Sequence, residues 1–213
     1  MGKEMFNLAD VKLMNKKVSY QGFFQVEELT FKHKLFSGQW SSVVKREVLE
    51  RGNAVAILAY DPYLEQVILV EQIRVPVLAQ IKDELAQSPW LLELAAGMIE
   101  LNESPEDVAR RELMEETGLE AKQLNKILHF YPSPGGCSER VDLYLAIVDA
   151  TKAFGIHGLS SENEDIRVHV MSRINAYNKV MSGEIVSAPT IIGLQWLMMN
   201  KNALEVVAKS DTV

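Results

Sequence analysis

The chain has 213 residues, a length that suits one large domain or a domain with an appendage. Hydrophobic residues make up 47% and charged residues 24% of it, as in ordinary soluble globular proteins, and no apolar run approaches the roughly 18 residues of a transmembrane helix. The formal net charge of −7 and the lack of a basic stripe disfavour nucleic acid as a partner.

The cysteine content and the N-terminus indicate the compartment. Cys137 is the only cysteine, which excludes an internal disulfide and is compatible with a reducing cytoplasm. The first residues lack the apolar core and cleavage site of a secretory signal. We therefore expect a cytoplasmic protein that does not bind membranes.

Residues 1–52 are predicted to form an N-terminal β region. Strand signals begin near residue 17 and continue to residue 50, with a turn at Ser37-Gly38. A sheet this small is marginal by itself, so we expect it to pack on the main domain or on another subunit.

Residues 53–213 are predicted to form the main domain, an α+β or α/β sandwich with a mixed sheet. The segment 75–89 is predicted to be a loop with some helical character, and residues 155–166 a polar loop. Strands are predicted over residues 54–60, 66–74, 90–100, 126–134, 140–150 and 166–172, and late helices over residues 174–182 and 188–208.

The most informative stretch, residues 97–119, reads GMIELNESPEDVARRELMEETGL. Its central part predicts a helix, because Ser104 suits the N-cap and Pro105 the first helical position. Asp107 completes a capping-box pattern, and Gly118 suits the left-handed position that ends a helix. Gly97 is expected to let the backbone of a preceding loop come close to a bound metal.

Three carboxylates cluster on this predicted helix. Glu112, Glu115 and Glu116 fall within an arc of roughly 100°. Like charges this close destabilise a bare helix, whereas Mg²⁺ prefers carboxylate oxygens and would reverse the sign of that effect. Arg111 lies one turn before Glu115 and is expected to pair with it and orient it. The alternative is an acidic, solvated helix face.

These residues match the fixed positions of the Nudix box, so the chain is identified as a member of the Nudix hydrolase family. The resemblance implies a Nudix fold, an α/β/α sandwich with a mixed sheet, and hydrolysis of a nucleoside diphosphate linked to another group. It also implies two or three Mg²⁺ ions, with Mn²⁺ able to substitute, bound by Glu112 and Glu116. Glu115 supports these two glutamates, and a backbone carbonyl near Ala96 joins the metal coordination shell. Glu103 is expected to be braced by Arg111 or to act through water.

Nearly the whole chain also resembles the bacterial ADP-ribose pyrophosphatases. Pro134 follows Gly118 by 16 positions, a spacing associated with ADP-ribose hydrolases among Nudix proteins. The segments that carry the resemblance are GFF at 22–24, HKLFSGQW at 33–40, KREVLERG at 45–52, EQIR at 71–74, PWLLELAAGMIE at 89–100, SPGGCSER at 133–140 and GIHGLSSENEDIRVHV at 155–170.

Several residues in these segments suit substrate binding. Arg46, Arg51 and Arg74 can offer planar forks to phosphates and ribose hydroxyls, unless they are surface arginines that balance the 29 acids. Phe23 suits stacking on adenine, with an ordinary place in the sheet core as the alternative. The resemblance places Phe23 and Arg46 in an adenine pocket shared with the partner subunit, and Glu139 at the terminal ribose.

A second acidic cluster spans residues 161–165. It is either a solvated loop or, as the resemblance implies, a lid that supplies the group activating or orienting water. Glu162 matches that group best and Glu164 is second.

The resemblance thus implies hydrolysis of ADP-ribose to AMP and ribose 5-phosphate by a homodimer with exchanged N-terminal strands. One alternative is a pyrophosphatase for GDP-mannose or another nucleoside diphosphate sugar. A more remote one is a non-catalytic sensor of ADP-ribose, which the intact box and the absence of a basic module disfavour. The number of metal ions, the base and the phosphorus attacked are left open.

Overall fold

The computed structural model describes residues 6–79 and 88–200, which divide into two compact units. The N-terminal unit contains the chain up to Gly52 together with Tyr131–Glu139, and the larger unit contains the rest. The predicted regions differ from these units in one respect, because residues 131–139 group with the N-terminal unit. Backbone bonds explain this grouping: Leu49 N–H donates to Gly136 O at 2.8 Å, and Ser138 N–H donates to Leu49 O at 3.1 Å.

The N-terminal unit is built on a small antiparallel sheet of three strands, as predicted. The first strand begins well before residue 17, and residues 22–24 form a turn where the sequence suggested a continuous strand. The strands are β1 (Val11–Gln21), β2 (Gln25–His33) and β3 (Val44–Glu50), in that order across the sheet.

The larger unit contains an eight-stranded mixed sheet, in which β4 and β9 are parallel and the other pairs are antiparallel. The order across the sheet is β10-β11-β5-β4-β9-β8, with β6 paired to β5 and β7 paired to β4. The strands are β4 (Ala54–Asp61), β5 (Gln66–Ile73), β6 (Trp90–Glu93), β7 (Ala95–Met98), β8 (Gln123–Phe130), β9 (Val141–Ile147), β10 (Ile156–His157) and β11 (Ile166–Ser172).

The single strand predicted over residues 90–100 is in fact two strands. β6 and β7 are separated by Leu94 and pair with different neighbours. β4 and β5 pair with each other only from Ala59 to Asp61, so the two short strands β6 and β7 extend β5 and β4 beyond that point. We call this arrangement the fork.

Helices cover both faces of this sheet, which confirms the predicted α/β/α sandwich. Alternate residues of β4 point to opposite faces, as a strand requires. Ala56, Leu58 and Tyr60 belong to a buried cluster that includes residues of two C-terminal helices. Val55 and Ile57 belong to a second cluster, beneath the helix that carries Glu112, Glu115 and Glu116. The helices are α1 (Val75–Leu78), α2 (Pro105–Thr117), α3 (Arg173–Met181) and α4 (Ala188–Met199).

Two predicted segments extend beyond the described residues. Helix α1 occupies the start of the predicted loop 75–89, and residues 80–87 lie outside the described chain. The helix predicted over residues 188–208 is observed to Met199, and residues 201–208 lie outside the described chain. No helix within residues 6–79 and 88–200 has the length and apolar character needed to cross a membrane.

Helix α2 begins and ends where the sequence predicts. The Ser104 side chain accepts the Asp107 N–H at 3.1 Å, and Gly118 ends the helix at φ 70°. The capping pair differs in one detail from the predicted box, since the Ser104 hydroxyl itself donates to the Asp107 carboxylate at 2.6 Å. Local residues therefore fix both ends of the helix that carries the acidic box.

One buried hydrogen bond holds helix α4 to the fork. Leu94 N–H donates to Thr190 Oγ1 at 3.0 Å, and Thr190 is 0% exposed. We expect Thr190→Val to lower the free energy of unfolding by about 1–3 kcal/mol, because it leaves a buried N–H without its acceptor. Equilibrium unfolding in urea measures this difference, with Thr190→Ser as the matched control that keeps the hydroxyl. Equal stability of the Val and Ser variants would contradict the prediction.

Candidate active site

Glu116 lies in the opening of the fork and is only 2% exposed. Its carboxylate accepts the Ala96 N–H of β7 at 3.0 Å and the Gln72 side-chain amide of β5 at 3.3 Å. The two strands that the fork separates thus each provide one donor to the same carboxylate. Sequence reasoning selected Glu116 and Ala96, but it missed Gln72, because the pairing that brings β5 to this helix is not local.

Arg111 connects the other acidic residues of the box. Its guanidinium lies 2.8 Å from a Glu112 oxygen, 3.0 Å from a Glu115 oxygen and 3.3 Å from a Glu103 oxygen. The predicted pairing of Arg111 with Glu115 and the predicted bracing of Glu103 by Arg111 are both confirmed. One arginine thus holds three carboxylates in a fixed arrangement beside Glu116.

Gly97 is required by the packing of Glu112 rather than by a loop. It lies within β7, and a Cβ placed on it would stand 1.8 Å from Glu112 Oε1 and 2.0 Å from the carboxyl carbon. The Glu112 carboxylate therefore lies directly against the backbone of Gly97. Any larger residue at position 97 would push Glu112 out of the place where Arg111 now holds it.

Burial makes the ionised forms of these carboxylates unfavourable. It raises the pKa of Glu116 to about 8, and the charge of Glu112 adds to this effect against the lowering by the Ala96 N–H. Burial also raises the pKa of Glu112, although the Arg111 charge opposes it. A cation placed among these oxygens would favour the ionised forms, and hard oxygen donors are the ligands of Mg²⁺ and Mn²⁺.

The donor set therefore fits a divalent cation in its chemistry. Among residues 6–79 and 88–200, no three acidic, histidine or cysteine side chains form a ready metal-binding group. Arg111 engages oxygens of both Glu112 and Glu115. A cation bound here would compete with the Arg111 guanidinium for those oxygens.

Arg74 lies beside this cluster, at the residue that follows β5. Its Nε is 2.5 Å from a carboxylate oxygen of Glu93, which is buried on β6. The Arg74 charge also lowers the pKa of Glu116. Sequence reasoning selected Arg74 but missed its partner Glu93, whose only sequence signal is an acidic residue inside an apolar strand.

The segment between β10 and β11, residues 158–165, is called the acidic loop, and it begins next to the end of helix α2. Gly158 N–H donates to Glu115 O at 3.1 Å, and the Glu164 carboxylate accepts the Leu159 N–H at 3.2 Å. The charge of Glu164 contributes to the raised pKa values of both Glu112 and Glu116. Glu162 is exposed at the end of a short 3₁₀ turn. Of the two predicted loop glutamates, Glu164 is therefore the one bonded to the backbone of the loop, whereas Glu162 is exposed.

The N-terminal unit gathers a second group of predicted residues. Arg51 lies 3.4 Å from Glu139, and its guanidinium carbon is 5.8 Å from the centre of the Phe24 ring. Phe23 contacts Phe24 edge to face with 5.0 Å between ring centres, and it is 85% exposed. Phe23 therefore does not lie in the sheet core, and Phe24 is a member of this group that sequence reasoning missed.

Two other predicted residues lie on the surface of the N-terminal unit. Arg46 is exposed on β3 and donates to the carbonyl of Lys45 at 2.7 Å. Pro134 is exposed in the turn that precedes Gly136. The structure thus joins Arg51 to Glu139, whereas the Arg46 guanidinium bonds to the backbone of the neighbouring Lys45.

Comparison with known proteins agrees with this geometry. A model of the NUDIX domain matches residues 50–183. An ADP-ribose pyrophosphatase of Escherichia coli (strain K12) is 48% identical over 200 residues, which cover 94% of this chain and 93% of that protein. A GDP-mannose pyrophosphatase of Escherichia coli O1:K1 / APEC is 31% identical over 193 residues, which cover 89% and 96% of the two chains.

The fold also has a solved counterpart. The crystal structure of an ADP compounds hydrolase matches with a TM-score of 0.66 at 19% identity, and the match covers 92% of this chain and 98% of that one. This likeness concerns the fold, whereas the NUDIX domain match spans the acidic box and the fork. The chain therefore belongs to the Nudix family.

Proposed function

We propose that this chain hydrolyses the diphosphate of ADP-ribose to AMP and ribose 5-phosphate with the help of a divalent cation. The single observation that carries the proposal is the carboxylate cluster of helix α2 around the buried Glu116, in a chain 48% identical over 200 residues to a protein named ADP-ribose pyrophosphatase. The relative named GDP-mannose pyrophosphatase is less similar, at 31% identity. ADP-ribose is therefore the favoured substrate among nucleoside diphosphate sugars.

Glu112, Glu115 and Glu116 would hold the cation, with the backbone of Ala96 close by. A bound divalent ion neutralises charge on the diphosphate and makes water more acidic. The chain's own contribution is positional: Arg111 fixes three of the carboxylates, and the fork holds Glu116 through Gln72 and Ala96. We propose Mg²⁺ as the ion, two or three per site, with Mn²⁺ able to replace it.

The acidic loop supplies the group that receives the proton of the attacking water. Water adds to one phosphorus, the bond from that phosphorus to the bridging oxygen breaks, and the leaving phosphate carries away the electron pair. Glu162 is the residue that the resemblance favours, and Glu164 is the residue whose charge acts on Glu112 and Glu116. A carboxylate in either position can act as the base or orient the water.

The proposed contacts with the substrate are assigned residue by residue, from the chemistry of each side chain. Arg74 beside the carboxylate cluster suits a phosphate, because its planar fork matches phosphate oxygens. In the N-terminal unit the exposed Phe23 suits adenine, and Arg51, Arg46, Glu139 and Pro134 are the other proposed contacts. The pair formed by Arg51 and Glu139 offers donors and acceptors to ribose hydroxyls.

We also propose that the active form is a homodimer that exchanges its N-terminal strands. All residues of β1 are exposed in the described chain, and Leu13, Val18 and Tyr20 are 45–62% exposed on it. A surface strand with such side chains is a candidate interface. Light scattering of the purified protein measures its mass, and a monomer at micromolar concentration would contradict this assignment.

A cytoplasmic location stays a prediction.

The substrate assignment is tested by competition. We expect kcat/KM for ADP-ribose to exceed the values for ADP-glucose, GDP-mannose and NADH, because the proposed recognition groups suit both adenine and a terminal ribose. Chromatography of the products in Mg²⁺ measures all four, and ¹⁸O-labelled water reveals which phosphorus is attacked. A higher kcat/KM for GDP-mannose would support the alternative pyrophosphatase, and tight binding of ADP-ribose without turnover would support the sensor.

The metal assignment is tested on helix α2. We expect Glu112→Gln and Glu116→Gln each to lower kcat by at least ~10²-fold, the scale of losing one main electrostatic contributor. Glu106→Gln is the matched control, because Glu106 lies on the same helix and pairs with Arg110 on its exposed side. Steady-state kinetics with Mg²⁺, together with circular dichroism to confirm folding, measure the effect. Normal turnover by both folded variants would refute the assignment.

A comparison of two glutamine variants tests which of Glu162 and Glu164 receives the proton of the attacking water. The residue that takes the proton should lower kcat far more than KM when it becomes glutamine. We therefore expect one of Glu162→Gln and Glu164→Gln to lower kcat by at least ~10²-fold while the other stays closer to the wild type. Equal and small effects of both changes would remove the acidic loop from the mechanism.

A further inference from the structure

The start of the acidic loop is attached to the C-terminal end of helix α2 by a backbone bond. Glu115 lies in the last turn of that helix, where carbonyl groups lack intrahelical partners. A continued helix would pair Leu119 N–H with Glu115 O, but Leu119 N–H donates to the Thr117 hydroxyl at 3.3 Å. The Glu115 carbonyl accepts the Gly158 N–H at 3.1 Å. A residue of the loop thus caps the helix that carries the box.

His157 packs on the same helix end. A Cβ added to Gly118 would stand 2.7 Å from His157 Cε1, so the imidazole lies directly on the glycine that ends the helix. The ring is held from its other side, since His157 Nε2 is 2.8 Å from Phe154 O. A carbonyl can only accept, so Nε2 carries the proton. Gly118 therefore needs its small size as well as its φ of 70°.

Gly158 also touches the chain further along the loop. A Cβ on Gly158 would stand 2.8 Å from Glu164 Cβ and 3.2 Å from Glu164 O, and Gly158 has φ 98°. The Glu164 carboxylate meanwhile returns to the Leu159 N–H at 3.2 Å. The residue that bonds to Glu115 is thus also the residue against which Glu164 rests.

We propose that His157 and Gly158 are positioning residues that attach the acidic loop to the end of helix α2 and so fix the Glu164 carboxylate relative to Glu112 and Glu116. This inference rests on the proposed function, and it deepens that function by assigning a role to two residues outside the carboxylate cluster of helix α2.

The chain offers a matched pair of glycines for the test. Gly158→Ala introduces both a strained backbone and a collision with Glu164. Gly183 has φ 79°, and a Cβ there would meet nothing within 4 Å, so Gly183→Ala introduces the strain alone. We expect Gly158→Ala to lower kcat by about 10- to 100-fold with KM within about twofold, since small displacements of a reacting group cost that much. Gly183→Ala should keep the wild-type kcat.

A double-mutant cycle separates positioning from general destabilisation. If Gly158 acts through Glu164, then Gly158→Ala should change kcat by less than about twofold in the Glu164→Gln background. His157→Ala, which adds no backbone strain, should also lower kcat only when Glu164 is present, and by a smaller factor than Gly158→Ala. The inference is wrong if Gly158→Ala costs the same factor in both backgrounds, or if its kcat equals that of Gly183→Ala.

A measurement without substrate or metal distinguishes this inference from the proposed function. Hydrogen–deuterium exchange of the metal-free protein should show slow exchange over residues 157–159 in the wild type and in Gly183→Ala, and fast exchange in Gly158→Ala. Rapid exchange there in the wild type would overturn the attachment even if ADP-ribose is hydrolysed. Slow exchange in a wild type that releases no AMP would instead leave the attachment standing and reject the proposed function.

Discussion

The concentration of negative charge at one end of helix α2 is the constraint on which the site depends. Glu116 is almost completely buried, and burial raises its pKa to about 8. Arg111 must serve three other carboxylates, and Arg74 is shared with Glu93. The described side chains therefore do not fully compensate the charge that they gather. A buried charge without enough compensation is unfavourable unless a cation joins it, and this is the physical reason to place a metal here.

The fork is the part of the fold that positions the Glu116 carboxylate. Because β4 and β5 pair only near Ala59–Asp61, their far ends are free to receive β7 and β6. Each side of the opening then provides one donor to Glu116, from Gln72 and from Ala96. The Leu94 N–H, released from both ladders, is taken up by Thr190 of helix α4. The helices on the two faces of the sheet are thus both tied to the same break in strand pairing.

The parts of the site that the sequence predicted are those set by neighbours along the chain. The ends of helix α2 follow from Ser104, Pro105 and Gly118, and the pairing of Arg111 with Glu115 follows from helical spacing. The division of residues 90–100 into two strands was missed, because it depends on partners far away in sequence. Residues 22–24 were missed as a turn for a different, local reason: the aromatic pair after Gly22 favours a strand, and only the pairing of β1 with β2 reveals the reversal.

Side-chain direction was the other quantity that the sequence could not supply. The acidic stretch 161–165 contains several carboxylates, and nothing in their order tells which one bonds back to the start of the loop. The left-handed backbone of Asn163, at φ 58°, reverses the chain after the 3₁₀ turn. Glu162 before this reversal is exposed, whereas Glu164 after it returns to Leu159.

The residues proposed for the chemical step all belong to the larger unit. The carboxylates and Arg111 all belong to the larger unit, while Arg51, Glu139 and the exposed Phe23 belong to the N-terminal unit. Proteins named for ADP-ribose and for GDP-mannose match this chain over most of its length, at 48% and 31% identity. A metal-dependent attack on phosphorus needs the same carboxylates whatever sugar or base is attached. A change of substrate therefore does not require a change in the carboxylates that the fork and helix α2 hold in place.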